Sequence, residues 1–433
     1  MINNIFNINS LNHLTMSGVD LCDMANKYKT PLYIMDENLI RNNIRSYKNA
    51  LDKNYDDGLV LYASKAFSCL YMYKLAKEEG IGVDVVSGGE LYTALKADFP
   101  ASKIYFHGNN KTEDELYFAI SNNVGRIVVD NIYELENIDN IAKKLNKKVS
   151  VLFRIKPGID AHTHDFIMTG QIDSKFGFAL ENGEALEIIK ESKKFTNIDV
   201  CGIHCHIGSQ IFDLEPFEKT AEVMLNFFAD IKEELSVELK ELNLGGGFGI
   251  KYTENDDPIE YGEYIKSVAV IINKICNERN INKPKIIMEP GRSIVGEAGV
   301  TLYTVGAVKD IKNVRKYISV DGGMADNPRY ALYEAEYSMA VANAMDRLPF
   351  EKVTIAGKCC ESGDIIAKDI LMPKICVGDL LCVFSTGAYN YSMASNYNRI
   401  PKLPVIMIKD GKDKVIIKRE TYEDIIKNDI LED

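Results

Sequence analysis

The feature that most constrains this chain is a rhythm: eight short β-rich runs alternate with helix-patterned segments over residues 58–289. The runs are GLVLYA (58–63), GVDVV (82–86), KIYF (103–106), RIVVD (126–130), KVSVLFRI (148–155), IDVCGIHCH (198–206), KELNL (240–244) and PKIIME (284–289). Between them apolar residues recur at helical spacing, as in LYMYKLAKEEG (70–80), where Gly80 supplies a stop. Strand–helix alternation calls for a parallel sheet. Eight such units in about 250 residues call for a closed (β/α)8 TIM barrel, with a doubly wound open sheet as the competing architecture.

After about residue 300 the rhythm changes. VTLYTVGAVKDI, KYISVDGG, VTIAGK, DLLCVFS and PVIMIKDGKDKVIIKRE are β-like with few long helices between them. The turn Asp410–Gly411–Lys412–Asp413 predicts a hairpin. This is a second, mostly antiparallel β domain. The early strand PLYIM (31–35) is assigned to it, and Asp36 is the expected N-cap of the helix that follows. The expected organisation is α/β: a barrel over 36–300, inserted into a β-rich domain made of 1–35 and 301–433.

Composition bounds the function. With 46% hydrophobic and 26% charged residues the chain is an ordinary globular protein rather than a disordered or fibrous one. A net charge of −12 argues against nucleic-acid binding through a broad basic face. Nine cysteines form no CxxC pair, so no zinc site is expected and a reducing compartment is. The opening MINNIFNINS has no basic stretch followed by an apolar core, and no apolar run reaches about 20 residues. A cytoplasmic protein without membrane contact is expected.

In such barrels catalytic groups gather at the C-terminal ends of the strands. Here those ends carry Lys65, Asp84, His107, Asp130, Arg154, the run His204–Cys205–His206–Ile207–Gly208–Ser209, the run Gly245–Gly246–Gly247, and Glu289–Pro290–Gly291–Arg292. Lys65 alone would be a solvated lysine; at the end of an apolar strand it points to function. Of His204 and His206, one is expected inside the barrel and the other toward the helix layer. The pair makes no convincing metal site. Glycines after strand 7 and Gly291–Arg292 after strand 8 match the common barrel phosphate site. A phosphate site plus a lysine suggests pyridoxal phosphate, bonded to the lysine and acting as an electron sink. Glu289 is the candidate carboxylate for the ring nitrogen, and His206 a stacking partner for the ring.

At this point the residues match a family. The chain resembles the diaminopimelate decarboxylases, barrel-type (alanine-racemase-like) pyridoxal-phosphate enzymes. The resemblance spans nearly the whole chain through YASKAF (62–67), DVVSGGEL (84–91), HGNNKT (107–112), HDFIMTGQIDSKFG (164–177), HCHIGSQI (204–211), NLGGGFG (243–249), EPGRSIV (289–295), CCESGD (359–364) and GAYNYSMASNYN (387–398). One departure is Phe67–Ser68, where many relatives carry Asn. The resemblance implies Lys65 as the Schiff-base lysine. It implies His206, Ser209, Gly246, Gly247, Glu289, Pro290, Gly291 and Arg292 as cofactor contacts. Cys360 matches the family's proton donor, Glu361 a substrate contact, and Tyr389 a contact to cofactor and substrate. The Cys360–Glu361 loop would reach the partner's site in a homodimer.

Substrate choice follows from charge. Ornithine offers only a distal ammonium, whereas diaminopimelate offers a distal ammonium and a distal carboxylate. Arg292, Arg329 and Tyr333 can hold the carboxylate and Glu361 the ammonium. Decarboxylation of meso-diaminopimelate to L-lysine, the last step of lysine biosynthesis, is therefore expected ahead of ornithine, arginine or carboxynorspermidine decarboxylation. Non-catalytic regulators among such relatives have lost site residues, whereas Lys65, Cys360 and Glu289 are all present.

Overall fold

The computed structural model describes residues 3–159 and 173–431. Most of the HDFIMTGQIDSKFG motif, at 164–172, lies outside them. The chain forms two units, one of Asn43–Gly249 with Pro258–Ser293, the other of Met1–Asn42, Ile250–Asp257 and Ile294–Asp433.

The first unit is a closed parallel barrel of strands β1 (Gly58–Ala63), β2 (Gly82–Val85), β3 (Ile104–Phe106), β4 (Arg126–Val129), β5 (Val149–Lys156), β6 (Ile198–His204), β7 (Glu241–Asn243) and β8 (Lys285–Met288). Closure comes from β8 pairing with β1, Ile286 opposite Gly58. The strands read as apolar runs because both faces are covered, by the barrel interior and by the helix layer. Leu61, Tyr105, Val128, Leu152 and Ile287 pack together in one buried cluster. The helices between strands start where the sequence offers caps. Thr112 and Glu115 form a capping box, and Ser87 and Asn131 accept from the backbone N–H of Glu90 and Glu134. The helix Leu70–Glu78 stops just before Gly80, whose φ of +76° suits glycine.

The second unit is a seven-strand path. Its order is Ile365–Pro373, Phe350–Ala356, Arg315–Val320, Gly299–Ile311, Leu32–Asp36, Val405–Lys409 and Lys412–Ile417. Leu380–Val383 also joins Gly299–Ile311, antiparallel. The early strand Leu32–Asp36 pairs antiparallel with Gly299–Ile311 and parallel with Val405–Lys409. Asp36 Oδ1 accepts from Leu39 N at 2.6 Å, as a helix cap does. The hairpin turn holds Asp410 and Gly411 at positive φ. The division differs from 36–300 in three ways. The first boundary falls inside the helix Glu37–Asn54, residues 250–257 leave the barrel for the β unit, and the barrel unit ends at Ser293 rather than at 300. The cause is packing: Ile250 and Tyr252 are buried with Tyr303, Val305 and Tyr337 in the β unit's core. No described helix is long and apolar enough to cross a membrane.

Candidate active site

Lys65 lies in the 3-10 turn Ser64–Ala66 directly after β1. The turn is fixed on two sides. Ser64 Oγ donates to Glu90 Oε2 at 2.9 Å, and Ala63 N donates to the Pro290 carbonyl at 3.1 Å. Lys65 itself is exposed. Its ammonium acts electrostatically on Asp84, Glu90 and His206. Asp84, buried on β2, has its carboxyl pushed up to about 7 by burial, against the pull of His107 and Lys65 and with the push of Glu289.

The glycine run is dictated by close backbone approach. A Cβ on Gly246 would sit 2.2 Å from the Glu289 carbonyl oxygen, and one on Gly247 2.7 Å from that of Gly208. Gly245 and Gly247 have φ of +71° and +117°. Gly291 lies so close to β1 that a Cβ would be 2.9 Å from that of Ala63. Arg292 Nη2 donates to Ser209 Oγ at 2.8 Å, bringing two of the expected anion contacts together.

His204 and His206 both belong to the mouth, which corrects the expectation of opposite faces. Residues two apart share a strand face, and β6 ends at His204. His204 Nε2 is 3.3 Å from Glu289 Oε2. Gly246 N points at His206 Nδ1 at 3.4 Å. Burial holds His204 down at about 3 although Glu289 pulls it up. Burial, with the charges of Lys65 and Arg154, holds His206 well below its ordinary range. In both rings the environment therefore favours the uncharged form.

Glu289 follows β8. His107 Nε2 lies 2.9 Å from its Oε1, and Asn243 Nδ2 donates to the same oxygen at 2.7 Å. Burial pushes this carboxyl up, and His107 and His204 together hold it well below the usual carboxylate range. The mouth therefore presents an amine, an anion, a neutral imidazole and a glycine-lined turn.

The β unit carries the other predicted residues. Arg329 opens the short helix Arg329–Tyr333 and is buried. Its Nη1 donates to Tyr337 Oη at 2.7 Å, and its guanidinium lies over the Tyr252 ring, 4.7 Å from the centroid. No carboxylate pairs with it among the described residues. Tyr333 is half-buried at the end of the same helix. Tyr389 has φ of +68°, a strained conformation for a bulky side chain, and precedes Asn390, which accepts from Tyr337 Oη at 3.2 Å. Cys360 and Glu361 are exposed on one loop. Asp364 fastens that loop by accepting from Cys359 N at 2.7 Å and Met324 N at 2.6 Å.

Sequence reasoning missed four partners: Asn243, Tyr252, Tyr337 and Asp364. Asn243 had a signal. In KELNL, Glu241 and Asn243 are polar residues two apart on a barrel strand, so they face the same side.

Residues 38–296 match the family model described as pyridoxal-dependent decarboxylase, pyridoxal binding domain. The chain is 50% identical to a diaminopimelate decarboxylase of Bacillus subtilis over 422 residues, 98% of this chain and 96% of that one. It is 48% identical to that of Staphylococcus aureus, over 97% of this chain and 98% of that one. Among solved structures, the diaminopimelate decarboxylase of M. jannaschii in complex with L-lysine superposes with a TM-score of 0.92 at 36% identity, covering 100% of this chain and 99% of that one. The chain belongs to the diaminopimelate decarboxylase family of pyridoxal-dependent decarboxylases.

Proposed function

We propose that this chain uses pyridoxal 5'-phosphate to decarboxylate meso-2,6-diaminopimelate to L-lysine and CO2. The mouth fits the cofactor on grounds of donor chemistry. Its glycine turn lies against the Glu289 carbonyl with no room for a side chain at Gly246, and the exposed Lys65 on the turn after β1 supplies an amine. When bound, the cofactor supplies a ring that takes up the electron pair left by the departing carboxylate. In this reading Lys65 is the covalent anchor. Ser209, Gly246, Gly247, Pro290, Gly291 and Arg292 hold the phosphate end. Glu289, kept ionised, holds a proton at the ring nitrogen, and the neutral His206 ring covers one face. Cys360 then delivers a proton from Sγ to the substrate carbon that has lost its carboxylate. Tyr389 contacts both cofactor and substrate.

The observation that carries the substrate choice is Arg329, a buried guanidinium without a carboxylate partner among the described residues. Burial works against its charge, and the rings and hydroxyls of Tyr252 and Tyr337 offset that. A buried cation left without an anion is costly, so an anionic ligand is the expected complement. The distal carboxylate of diaminopimelate supplies it, with Arg292 and Tyr333 assisting and Glu361 taking the distal ammonium. Steady-state kinetics on diaminopimelate, lysine, ornithine, arginine and carboxynorspermidine test this. Arg329→Ala should lower kcat/KM for diaminopimelate by on the order of 2–4 kcal/mol, roughly thirty- to thousand-fold. An unchanged value removes Arg329 from the site and weakens the substrate assignment.

We propose further that the working unit is a homodimer in which the Cys360–Glu361 loop completes the partner's site. The exposure of both side chains on a loop fastened by Asp364 supports this. Mixing Lys65→Ala and Cys360→Ala chains should restore part of the activity; no recovery in a verified heterodimer means each chain completes its own site. Nine unpaired cysteines support a reducing, cytoplasmic setting, which cell fractionation tests.

A further inference from the structure

One buried side chain at the barrel mouth has no part in the reaction so far. Asn243 closes β7 and has no exposed surface. Its Nδ2 donates to Glu289 Oε1 at 2.7 Å, and its Oδ1 accepts from Gly245 N at 2.9 Å. Its own carbonyl accepts from Cys205 N at 2.9 Å. Glu289 N in turn donates to the Gly245 carbonyl at 2.8 Å. One residue is thus bonded to the segment after β6, to the glycine run after β7 and to the carboxylate after β8.

A primary amide is suited to this place because it donates at one edge and accepts at the other without charge. A carboxylate there would face Glu289 as a like charge. An apolar side chain would leave the Gly245 N–H without its partner and Glu289 Oε1 with His107 alone. We infer that Asn243 is a positioning residue that locks the Glu289 carboxylate to the glycine run, so that the ring-nitrogen end and the phosphate end of the bound cofactor are held in one register. This rests on the cofactor reading above.

The test compares the wild-type holoenzyme with Asn243→Ala and Asn243→Asp. The measurements are the cofactor dissociation constant, by absorbance titration, and kcat and KM per bound cofactor, from pH 6 to 9. Asn243→Ala should weaken cofactor binding and lower per-site kcat by roughly ten- to hundred-fold each, as loss of an outer support does elsewhere, at every pH and with KM little changed. Asn243→Asp should behave differently. At low pH its carboxyl and Glu289 hold one proton between them, and the protonated oxygen donates as the amide did. As pH rises and that proton is lost, its affinity and kcat should fall toward those of Asn243→Ala. Asp84, His107, Arg154, His204 and His206 act on or with Glu289 from β2, β3, β5 and β6, and Lys65 after β1 acts on Asp84 and His206. They are common to all three proteins, so the gap between the variants isolates position 243.

A purely structural role would lower the melting temperature of both variants without that pH-dependent gap, and would overturn the inference. So would per-site kcat and cofactor affinity within twofold of wild type in both. If Asn243→Ala does not fold, the pH dependence of Asn243→Asp alone decides. A wild-type chain that takes up no cofactor overturns the cofactor reading itself.

Discussion

Glu241, at the start of β7, and Glu289, just past the end of the neighbouring β8, are almost equally buried at 6% and 7% exposure and serve opposite ends of one barrel. Glu241 opens β7. Arg126 takes both its oxygens, at 2.6 and 3.0 Å, and Tyr105 Oη adds a bond at 3.2 Å. Burial works against the Arg126 charge, and Glu241 more than offsets it. Glu289 follows β8 at the mouth, where its side-chain neighbours are Asn243 and two imidazoles, that of His204 neutral. A carboxylate matched by a fixed guanidinium is consumed by the architecture. One kept ionised by an amide and imidazoles still has a full charge to offer a ligand.

The sharpest way to break this comparison is to remove each charge with the same substitution. Glu289→Gln should lower kcat/KM by roughly a hundred- to thousand-fold, the range for losing one preorganised electrostatic group. It should also lower the melting temperature near neutral pH, since a carboxyl held well below its usual range stabilises the folded chain when ionised. A variant that loses stability but keeps its turnover would put Glu289 on the architectural side.

Asp84 carries the comparison further, since this second carboxyl of the mouth costs stability where Glu289 and the floor supply it. Its folded pKa of about 7 lies above the unfolded value of 3.8. Below about pH 4 the group is neutral in both states and costs nothing. As pH rises toward 7 the unfolded chain gains by ionising while the folded one cannot, and above 7 the penalty is constant. In cofactor-stripped protein, Asp84→Asn should therefore stabilise by on the order of 4 kcal/mol at pH 7 and above, fading to nothing near pH 4. Denaturant melts at several pH values check this. A stabilisation independent of pH would mean the effect is packing.

The strands were legible in the sequence because a parallel strand covered on both faces is an uninterrupted apolar run, and each of the eight falls within a residue or two of its run. Lys65, His206 and Glu289 were legible by position, as reactive side chains just past apolar strands. Partnerships were not. Asn243 and Glu289 are 46 residues apart, and only the closing of the barrel sets their side chains together. Arg329 was legible as a cation, but the two tyrosines around it were not. Tyr252 comes from a segment that the strand–helix rhythm assigns to the barrel, and its packing with Tyr303 and Tyr337 takes it elsewhere. Hydrophobic period reports which face is covered, not which polar atom meets which.

The smallest effect is expected at the floor, and it separates net value from the cost of breaking a pair. Glu241→Gln leaves the Arg126 guanidinium without its anion, with its side chain only 26% exposed. The loss should be roughly 1–3 kcal/mol, because a mostly buried donor set loses charged partners but water still reaches part of it. Turnover per bound cofactor should not change, since nothing at this end meets substrate. Replacing both partners, Arg126→Met with Glu241→Leu, should recover much of that loss, because removing a buried pair together avoids the stranded charge. Chemical denaturation of the single and double variants gives both numbers. A double variant less stable than Glu241→Gln would mean that the pair itself holds the floor closed. Glu241 would then be worth more to the barrel than the avoidance of an unpaired arginine.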